Sequence, residues 1–342
     1  MKFRLSIFNF EQKITPEIPR HWWASIGLLV GILVLAEASA RVFLQPVGDN
    51  LWAYNPPSLS RSFEWYRHLT EENMTPTVLA IGDSTGARNF DPGSFAAASS
   101  IESAYSLARP GNFPLALRSN TLALLDSSES PDIVILFQWP GSLLASPRND
   151  QIEAGAVSAI LEARRTGSFT LTDYVYLTRI YRARNFLMDY WLRGKSLLRP
   201  PPDNGFAPLS RPATETAKDP PANPPAEERV DFSEERRAVI SSLSDLAEER
   251  QFLLVVVVGP YQSGERYQVG NRHLEWLREL EKAECPNLVV MDLRTVLSDH
   301  PEFFKDNHHL YDDGARHFSA WLGERIAQLR NQYLSGRLKC TG

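Results

Sequence analysis

Residues Thr77 to Pro92 read TVLAIGDSTGARNFDP, an apolar run that ends at a glycine and passes into a polar stretch. The run Thr77–Ile81 predicts a buried strand, because short continuous apolar runs bounded by a glycine are typical of strands covered on both faces. Gly82, Asp83 and Ser84 therefore stand at the turn that follows this strand. The sequence thus places a serine directly after a buried strand.

The rest of the chain repeats this pattern of apolar runs and helical stretches. Further strands are predicted at Asp132–Phe137, Gln251–Val258 and Asn287–Leu293, with a weaker one at Ser103–Leu107. Helices are predicted over Leu115–Leu125, Asp231–Arg250, Asn271–Ala283 and Asp313–Tyr333. Because strands and helices alternate, we expect an α/β fold in three layers, with a mostly parallel central sheet.

Length and composition restrict the class of protein. The 342 residues suffice for one large domain or two small ones. The net charge of -5 and the scattered basic residues give no reason to expect a nucleic-acid partner. Two cysteines, Cys285 and Cys340, do not make a zinc site by themselves. They form either one disulfide that ties down the C-terminal tail or two free thiols.

The N-terminal region contains a candidate membrane segment. Trp22 to Ala36 carries no charge, and a span needs roughly 20 apolar residues, so we expect a transmembrane helix over residues 22–44. Basic residues precede the segment, and after Arg41 none occurs until Arg61. The positive-inside rule therefore predicts that residues 1–21 are a cytoplasmic tail and that the remainder lies outside a cell (inner) membrane.

A cleaved signal peptide is the alternative interpretation of this segment. Ala38, Ser39 and Ala40 have the small-x-small form of a cleavage site behind an apolar core. On either interpretation the body of the protein is exported, to the periplasm or the cell exterior. Cytosolic cofactors such as ATP or NADH are therefore not expected, and we predict no cofactor.

Residues 150–228 interrupt the α/β pattern, which divides the predicted domain into 45–149 and 229–335. The first part of the interruption is a helical segment rich in arginine and tyrosine, and nine prolines follow between Pro200 and Pro225. We expect the proline stretch to be a flexible or extended loop. The helical part is an insertion beside the functional face, a membrane-proximal arm or ordinary core.

The pentapeptide from Gly82 to Gly86 fits two hydrolase signatures, G-x-S-x-G and Gly-Asp-Ser. The first belongs to the α/β-hydrolase nucleophile elbow, which several strands should precede, whereas only about 40 residues separate the membrane segment from Ser84. The second signature has an acid and a base three residues apart near the C-terminus. Asp306 and His309 have this spacing.

On Gly82-Asp83-Ser84 and Asp306-Asn307-His308-His309, the chain resembles the SGNH (GDSL-type) hydrolase family. The resemblance covers Thr77–Ser142 and Gln251–Leu329, and it implies an SGNH-like (flavodoxin-like) domain. It also implies a catalytic triad, with Ser84 as nucleophile, His309 as base and Asp306 orienting the imidazole. A serine hydroxyl needs such a base to become a nucleophile.

The family stabilises the reaction's oxyanion with the amide of the serine, a glycine amide and an asparagine side chain. By resemblance Ser84 and Gly111 supply the first two donors. The asparagine block departs from the family pattern, because Gln138-Trp139-Pro140-Gly141-Ser142 follows the strand. Either the Gln138 side chain is the third hydrogen-bond donor of the oxyanion hole, or the oxyanion hole has only two donors, both of them backbone amides. One lost donor typically costs about 3 kcal/mol of transition-state stabilisation.

Each motif also has a structural alternative. Asp83 or Ser84 is equally suited to cap a helix, and Asp306 and His309 suit a capped helix start with Asp312 or Asp313. Asp306, His308, His309 and Asp312 could alternatively form a metal site. Arg88 and Asn89 either contact substrate or cap their helix, and Trp139 is a weak candidate for a substrate contact. His300 and His317 are expected at the surface. No metal is expected, since a helical i,i+4 histidine pair is missing.

The triad does not distinguish ester hydrolysis from acyl transfer. Outward-facing, single-pass SGNH proteins with an altered asparagine block look like accessory proteins of alginate O-acetylation and teichoic acid D-alanylation. The resemblance implies action on O-acyl, mainly O-acetyl, groups of a cell-envelope polysaccharide, with a multipass membrane-bound O-acyltransferase as partner. The alternatives are a general membrane-anchored esterase or lipase and a catalytically degenerate scaffold or glycan-binding subunit.

Overall fold

The computed structural model describes residues 20–43, 76–108, 130–144, 203–206, 208–211, 232–284 and 287–336, with single positions at 114, 117, 118, 121, 125 and 167. The described body is an α/β fold built on a five-stranded, fully parallel sheet. Cys285, Cys340 and Gly111 lie outside the described residues, as do most of the predicted helix at Leu115–Leu125 and the insertion.

The strands begin and end close to the positions that the apolar runs predict. They are β1 (Val78–Gly82), β2 (Ala104–Ser106), β3 (Ile133–Phe137), β4 (Leu253–Val258) and β5 (Leu288–Asp292). Their order across the sheet is β2-β1-β3-β4-β5. The strand after β1 is added on one side of it, and β3 and the later strands are added on the other side, so the strand order reverses between β1 and β3. In open α/β sheets, ligands bind at such a reversal of strand order, outside the carboxyl ends of the strands.

Continuous apolar runs suit these strands because both faces of the sheet are covered. In β4, Leu254, Val256 and Val258 join one core cluster, whereas the alternating residues from Leu253 onward join the other. Successive side chains of a strand point to opposite faces, so each run contributes to both clusters. The prediction of a sheet buried on both faces is confirmed.

Six α-helices have both ends within the described residues. They are α1 (Arg20–Phe43), α2 (Ser84–Asn89), α3 (Pro92–Ser99), α4 (Glu234–Arg250), α5 (Gln268–Glu284) and α6 (Asp312–Leu334). Residues of α4 and α5 pack in the cluster that contains Leu254, and residues of α3 and α6 pack in the cluster that contains Leu253. The helices thus form a layer on each face of the sheet.

Helix α1 is long and apolar enough to cross a membrane. Its segment Trp22–Ser39 has a mean hydropathy of 1.7 and is not buried against the rest of the protein. Its large side chains, among them Leu28, Val34 and Leu35, are exposed. This agrees with the sequence prediction of an apolar helix of membrane-spanning length.

The two ends of the predicted insertion meet at one place in the fold. Leu144 and Phe232 form an antiparallel bridge, and the Ser233 N–H donates to the Leu143 carbonyl at 2.8 Å. Arg236, whose side chain is buried, donates to the carbonyls of Ser142 (3.2 Å) and Leu144. The chain therefore leaves and re-enters the α/β domain at adjacent positions.

Part of the proline-bearing stretch packs against the α/β domain. Phe206 is 7% exposed and belongs to the core cluster beneath α3 and α6. The Asp312 N–H, at the start of α6, donates to the Leu209 carbonyl at 3.0 Å. An aromatic side chain and a backbone hydrogen bond therefore anchor residues 203–206 and 208–211 to the domain, which the prediction of a flexible or extended loop did not include.

His273 is a buried histidine in α5. It is 0% exposed, and neither ring nitrogen has a hydrogen-bond partner among the residues that the structure describes. Its ring lies near those of Trp276 and Phe232. Burial, followed by the charge of Arg237, lowers the pKa of His273 to about 3. The imidazole is therefore neutral in the folded protein.

A histidine buried in the neutral form makes folding sensitive to acid. Between pH 6.5 and about 3 the unfolded chain binds a proton at His273 that the folded chain does not bind, so the free energy of unfolding falls as pH falls. We expect His273→Phe to weaken this dependence, so that between pH 7.5 and pH 4.5 the variant loses about 3 kcal/mol less of its free energy of unfolding than wild type does. Urea unfolding at both pH values measures the difference. An unchanged pH dependence would contradict the prediction.

Candidate active site

The serine of the Gly-Asp-Ser motif lies where β1 meets α2. Gly82 has φ +136°, and Asp83 is the N-cap of α2, with its side chain accepting from the Thr85 N–H at 2.9 Å. Ser84 is the first residue of the helix and is half-buried. The capping alternative is therefore correct for Asp83, and the capped turn presents the hydroxyl of Ser84 beside the sheet.

The predicted acid and base, Asp306 and His309, lie on a short loop that precedes α6. The loop is closed by an antiparallel bridge between Phe304 and Leu310, and the Lys305 N–H donates to the His309 carbonyl at 2.9 Å. Inside the loop, one carboxylate oxygen of Asp306 accepts from the amides of His308 (3.0 Å) and His309 (2.9 Å). The carboxylate thus shapes the loop that carries the imidazole.

The structure brings Ser84, His309 and Asp306 together in a chain of hydrogen bonds. The Oγ atom of Ser84 is 2.9 Å from Nε2 of His309, and Nδ1 of His309 is 2.8 Å from Oδ2 of Asp306. Both distances lie within hydrogen-bond reach for a nucleophile, its base and the orienting group. The serine is separated from the histidine by 225 positions in the sequence.

The proton positions in this chain follow from the carboxylate. An ionised carboxylate only accepts hydrogen bonds, so Nδ1 of His309 carries the proton that it donates to Asp306. In the neutral form of this imidazole, Nε2 is unprotonated and accepts the hydroxyl hydrogen of Ser84. This is the tautomer that a general base beside a nucleophilic serine requires.

Electrostatics support the ionised state of Asp306. Burial by itself would raise the pKa of Asp306, but the hydrogen bond from His309 and the electrostatic interactions with the imidazoles of His309 and His308 hold the pKa well below its usual range. The neighbouring His308 has its pKa lowered to about 4, first by burial and then by the charge of His309. At neutral pH, His308 therefore adds no positive charge beside the base.

Gln138 does not take the role of oxyanion donor that the sequence suggests. Its Nε2 group donates to Oδ2 of Asp83 at 2.9 Å and also to Oγ of Ser142. Both amide hydrogens are thus engaged. Asp83 is 3% exposed and also accepts from the Trp139 N–H at 2.8 Å. A buried carboxylate needs several donors, and Gln138 is one of them.

The remaining predicted oxyanion donors are backbone amides. The Ser84 N–H has no acceptor within the described residues and lies at the start of α2. Gly111 lies outside the described residues, so its role stays a prediction. Of the two alternatives in the sequence, the hole with backbone donors alone is the one compatible with the bonds of Gln138.

Trp139 and His308 form a stacked pair beside the base. Their ring centroids are 5.3 Å apart at 13°, and the indole Nε1 donates to the Tyr267 hydroxyl at 2.9 Å. The ring of His308 also lies 4.2 Å from that of His309. Trp139 thus supports the loop of the base, and a substrate contact at Trp139 stays a prediction.

The two residues predicted as substrate contacts on α2 have different environments. Arg88, one turn after Ser84, is half-buried, and burial lowers the pKa of its guanidinium. Its contact with substrate stays a prediction. Asn89 is 0% exposed, and its side-chain amide bonds the loop of the base. The prediction of a substrate contact is wrong for Asn89, because solvent and ligands do not reach a fully buried amide.

A metal ion would compete with the triad for the same atoms. Asp306, His308 and His309 each have a possible ligand atom, and these atoms lie within 4.8 Å of one another. Both nitrogens of His309 already bond Asp306 and Ser84. A metal at His309 would therefore break one link of the chain. His300 and His317 are exposed, as the sequence predicts.

No protein-family model matches the chain, and no curated protein matches it significantly. The functional argument therefore depends on the geometry of the site.

The sequence analysis did not predict which residues support the triad. Asn307 fixes the loop to the chain after β4, because its carbonyl accepts from the Gln262 N–H and its side chain accepts from the Ser263 N–H, both at 2.9 Å. Asn89 and the Trp139–His308 pair support the same loop from other directions. The one signal in the sequence was the asparagine between Asp306 and His308, a residue type that commonly bonds backbone in loops.

Proposed function

We propose that this protein is a membrane-anchored, extracytoplasmic serine acyltransferase or esterase of the SGNH type. It acts on O-acyl groups, mainly O-acetyl groups, of a cell-envelope or exported polysaccharide through an acyl-Ser84 intermediate. The observation that carries the proposal is the hydrogen-bonded chain from Ser84 through His309 to Asp306. Three side chains placed by chance would not combine a hydroxyl, an imidazole in the tautomer that accepts its proton and an ionised carboxylate.

The fold and the position of the site give further support. The strand order β2-β1-β3-β4-β5 is the order of flavodoxin-like sheets, in which ligands bind at the reversal beside β1. Ser84 follows β1 at this reversal. Helix α1 supports an anchor over residues 22–44, with the N-terminus in the cytoplasm and the catalytic domain outside.

In the first half of the proposed reaction, Oγ of Ser84 attacks the acyl carbonyl carbon while Nε2 of His309 takes the hydroxyl proton. The Ser84 N–H and, by resemblance, the Gly111 N–H stabilise the oxyanion. When the tetrahedral intermediate collapses, the bond to the leaving oxygen breaks and His309 returns the proton to that oxygen. The product is acyl-Ser84 and a free hydroxyl.

In the second half, water or a sugar hydroxyl attacks acyl-Ser84. His309 again takes the proton from the attacking oxygen and then returns it to Oγ of Ser84. Water gives hydrolysis, and a sugar hydroxyl gives transfer. Because water and a sugar hydroxyl can both use the same triad, the acceptor that reaches the site decides between hydrolysis and transfer. The proposed source of the acyl groups is a multipass membrane-bound O-acyltransferase.

Labelling with a fluorophosphonate tests the proposal. Such probes phosphonylate only an activated serine, so we expect the full-length protein in detergent to be labelled at Ser84, and Ser84→Ala to show no labelling. Ser335→Ala, a substitution of an exposed serine after α6, is the matched control and should be labelled as wild type. An unlabelled wild type, or equal labelling of Ser84→Ala, would contradict the proposal. The mass carried by Ser84 in protein isolated from cells then identifies the acyl group.

A further inference from the structure

Asn89 joins the helix of the nucleophile to the loop of the base. Its Nδ2 group donates to the His308 carbonyl at 2.8 Å, and its Oδ1 accepts from the Leu310 N–H at 2.8 Å. The two bonded backbone groups flank His309. We propose that Asn89 is a positioning residue that holds the imidazole of His309 at its working distance from Ser84. This inference rests on the proposed serine chemistry.

The position of Asn89 on α2 makes it suited to this role. Ser84 is the first residue of α2 and Asn89 is the last, so the nucleophile and the anchor of the base belong to one short rigid element. The anchor in turn is fixed to α6, because the hydroxyl of Ser319 donates to the Asn89 carbonyl at 3.3 Å and accepts from the Asp91 N–H at 2.8 Å. Movement of the loop relative to Ser84 must therefore break buried hydrogen bonds.

The other anchors of the loop fix it to different parts of the molecule. Asp306 bonds amides within the loop, and Asn307 bonds Gln262 and Ser263 after β4. Neither of them connects the loop backbone to α2, whereas Asn89 connects it to α2 on both sides of His309. A misplacement of about 1 Å at a reacting centre can lower a rate by about 10²-fold. The connection through Asn89 is therefore expected to affect the chemical step.

An asparagine side chain has the donor and the acceptor that these two backbone groups need. Alanine leaves the His308 carbonyl and the Leu310 N–H without their partner. Aspartate has nearly the same volume and still accepts from Leu310, but its ionised form does not donate to His308. Protonated aspartate has a donor and an acceptor again. The two substitutions therefore separate the loss of the hydrogen bond from the loss of volume.

The experiment compares Asn89→Ala and Asn89→Asp with wild type in the full-length protein, at temperatures where circular dichroism shows each variant folded. We expect Asn89→Ala to lower the fluorophosphonate labelling rate and the kcat for a nitrophenyl ester about 100-fold, with KM changed less than about threefold. For Asn89→Asp we expect the rate relative to wild type to rise as pH is lowered, since protonation restores the donor. This pH signature remains available if the alanine variant does not fold.

Glu281→Ala is the matched control. Glu281 is a buried side chain on α5 that accepts from the Val290 N–H at 2.7 Å, so its loss also leaves a backbone group unpaired. We expect this variant to lose stability and to keep the wild-type labelling rate. Equal rates for Asn89→Ala and Glu281→Ala, or a pH-independent ratio for Asn89→Asp, would overturn the role of Asn89 while the serine chemistry stands. An unlabelled wild type would instead remove the proposed function itself.

Discussion

His309→Ala is expected to lower ester turnover by about 10⁴-fold or more, the range found when the base of a serine triad is removed. Oγ of Ser84 then has no acceptor for its proton, because Nε2 of His309 is the group 2.9 Å away. Binding of the ester should change little, so the loss should fall on kcat. Steady-state kinetics of the full-length protein with a nitrophenyl ester measure both constants.

Non-additivity provides a stricter test of the triad. Ser84→Ala, His309→Ala and the double variant should share one residual rate, because nucleophile and base act as a unit. His317→Ala, which removes an exposed histidine of α6, is the control and should keep wild-type turnover. If His309→Ala retained a tenth of the activity, His309 would not be the base.

Gly82→Ala is expected to lower the free energy of unfolding by about 4 kcal/mol, among the largest effects of single substitutions. A Cβ at this position would lie 1.8 Å from the carbonyl oxygen of Phe137 on the neighbouring strand, and φ is +136°. The backbone must therefore move at the turn that presents Ser84. Urea unfolding measures the loss, which corresponds to a melting temperature lower by about 10 °C.

Gly93→Ala is the control for this substitution. Gly93 lies in the first turn of α3, and the nearest atoms to an added Cβ are 3.4 Å away, in Asn204 and Asp91. We expect its stability to change by less than about 1 kcal/mol. Equal stability of the two variants would show that the close approach of Phe137 does not constrain the turn.

The sheet was predictable because its signal is local. Each strand, such as β4 within the predicted Gln251–Val258, is a short apolar run whose burial on both faces follows from the run itself. The pairing of Ser84 with His309 was also accessible, since the two motifs follow a strand and precede a helix at opposite ends of one domain. Family resemblance supplied the roles of these residues, and the structure supplies their distances.

The direction of polar side chains was not predictable. Gln138 follows β3 at a position where an amide would suit an oxyanion hole, but the buried carboxylate of Asp83 takes its hydrogens. Asn89 was predicted to contact substrate or cap its helix, and it instead bonds backbone 219 and 221 positions away. Both outcomes depend on how α2 and the loops pack together, which no local pattern of residues contains.

The bridge between Leu144 and Phe232 brings the two ends of the intervening segment to adjacent positions in the fold. Because its ends already meet, a change in its length changes the entropy of closing a loop by only about 0.6 kcal/mol for each doubling, although residues 203–206 and 208–211 also pack against the domain. Arg236 holds the junction through the carbonyls of Ser142 and Leu144, both of which lie before the segment departs. An insertion or deletion between Leu144 and Phe232 therefore need not move β3 or α4, so the register of the strands beside Ser84 is kept.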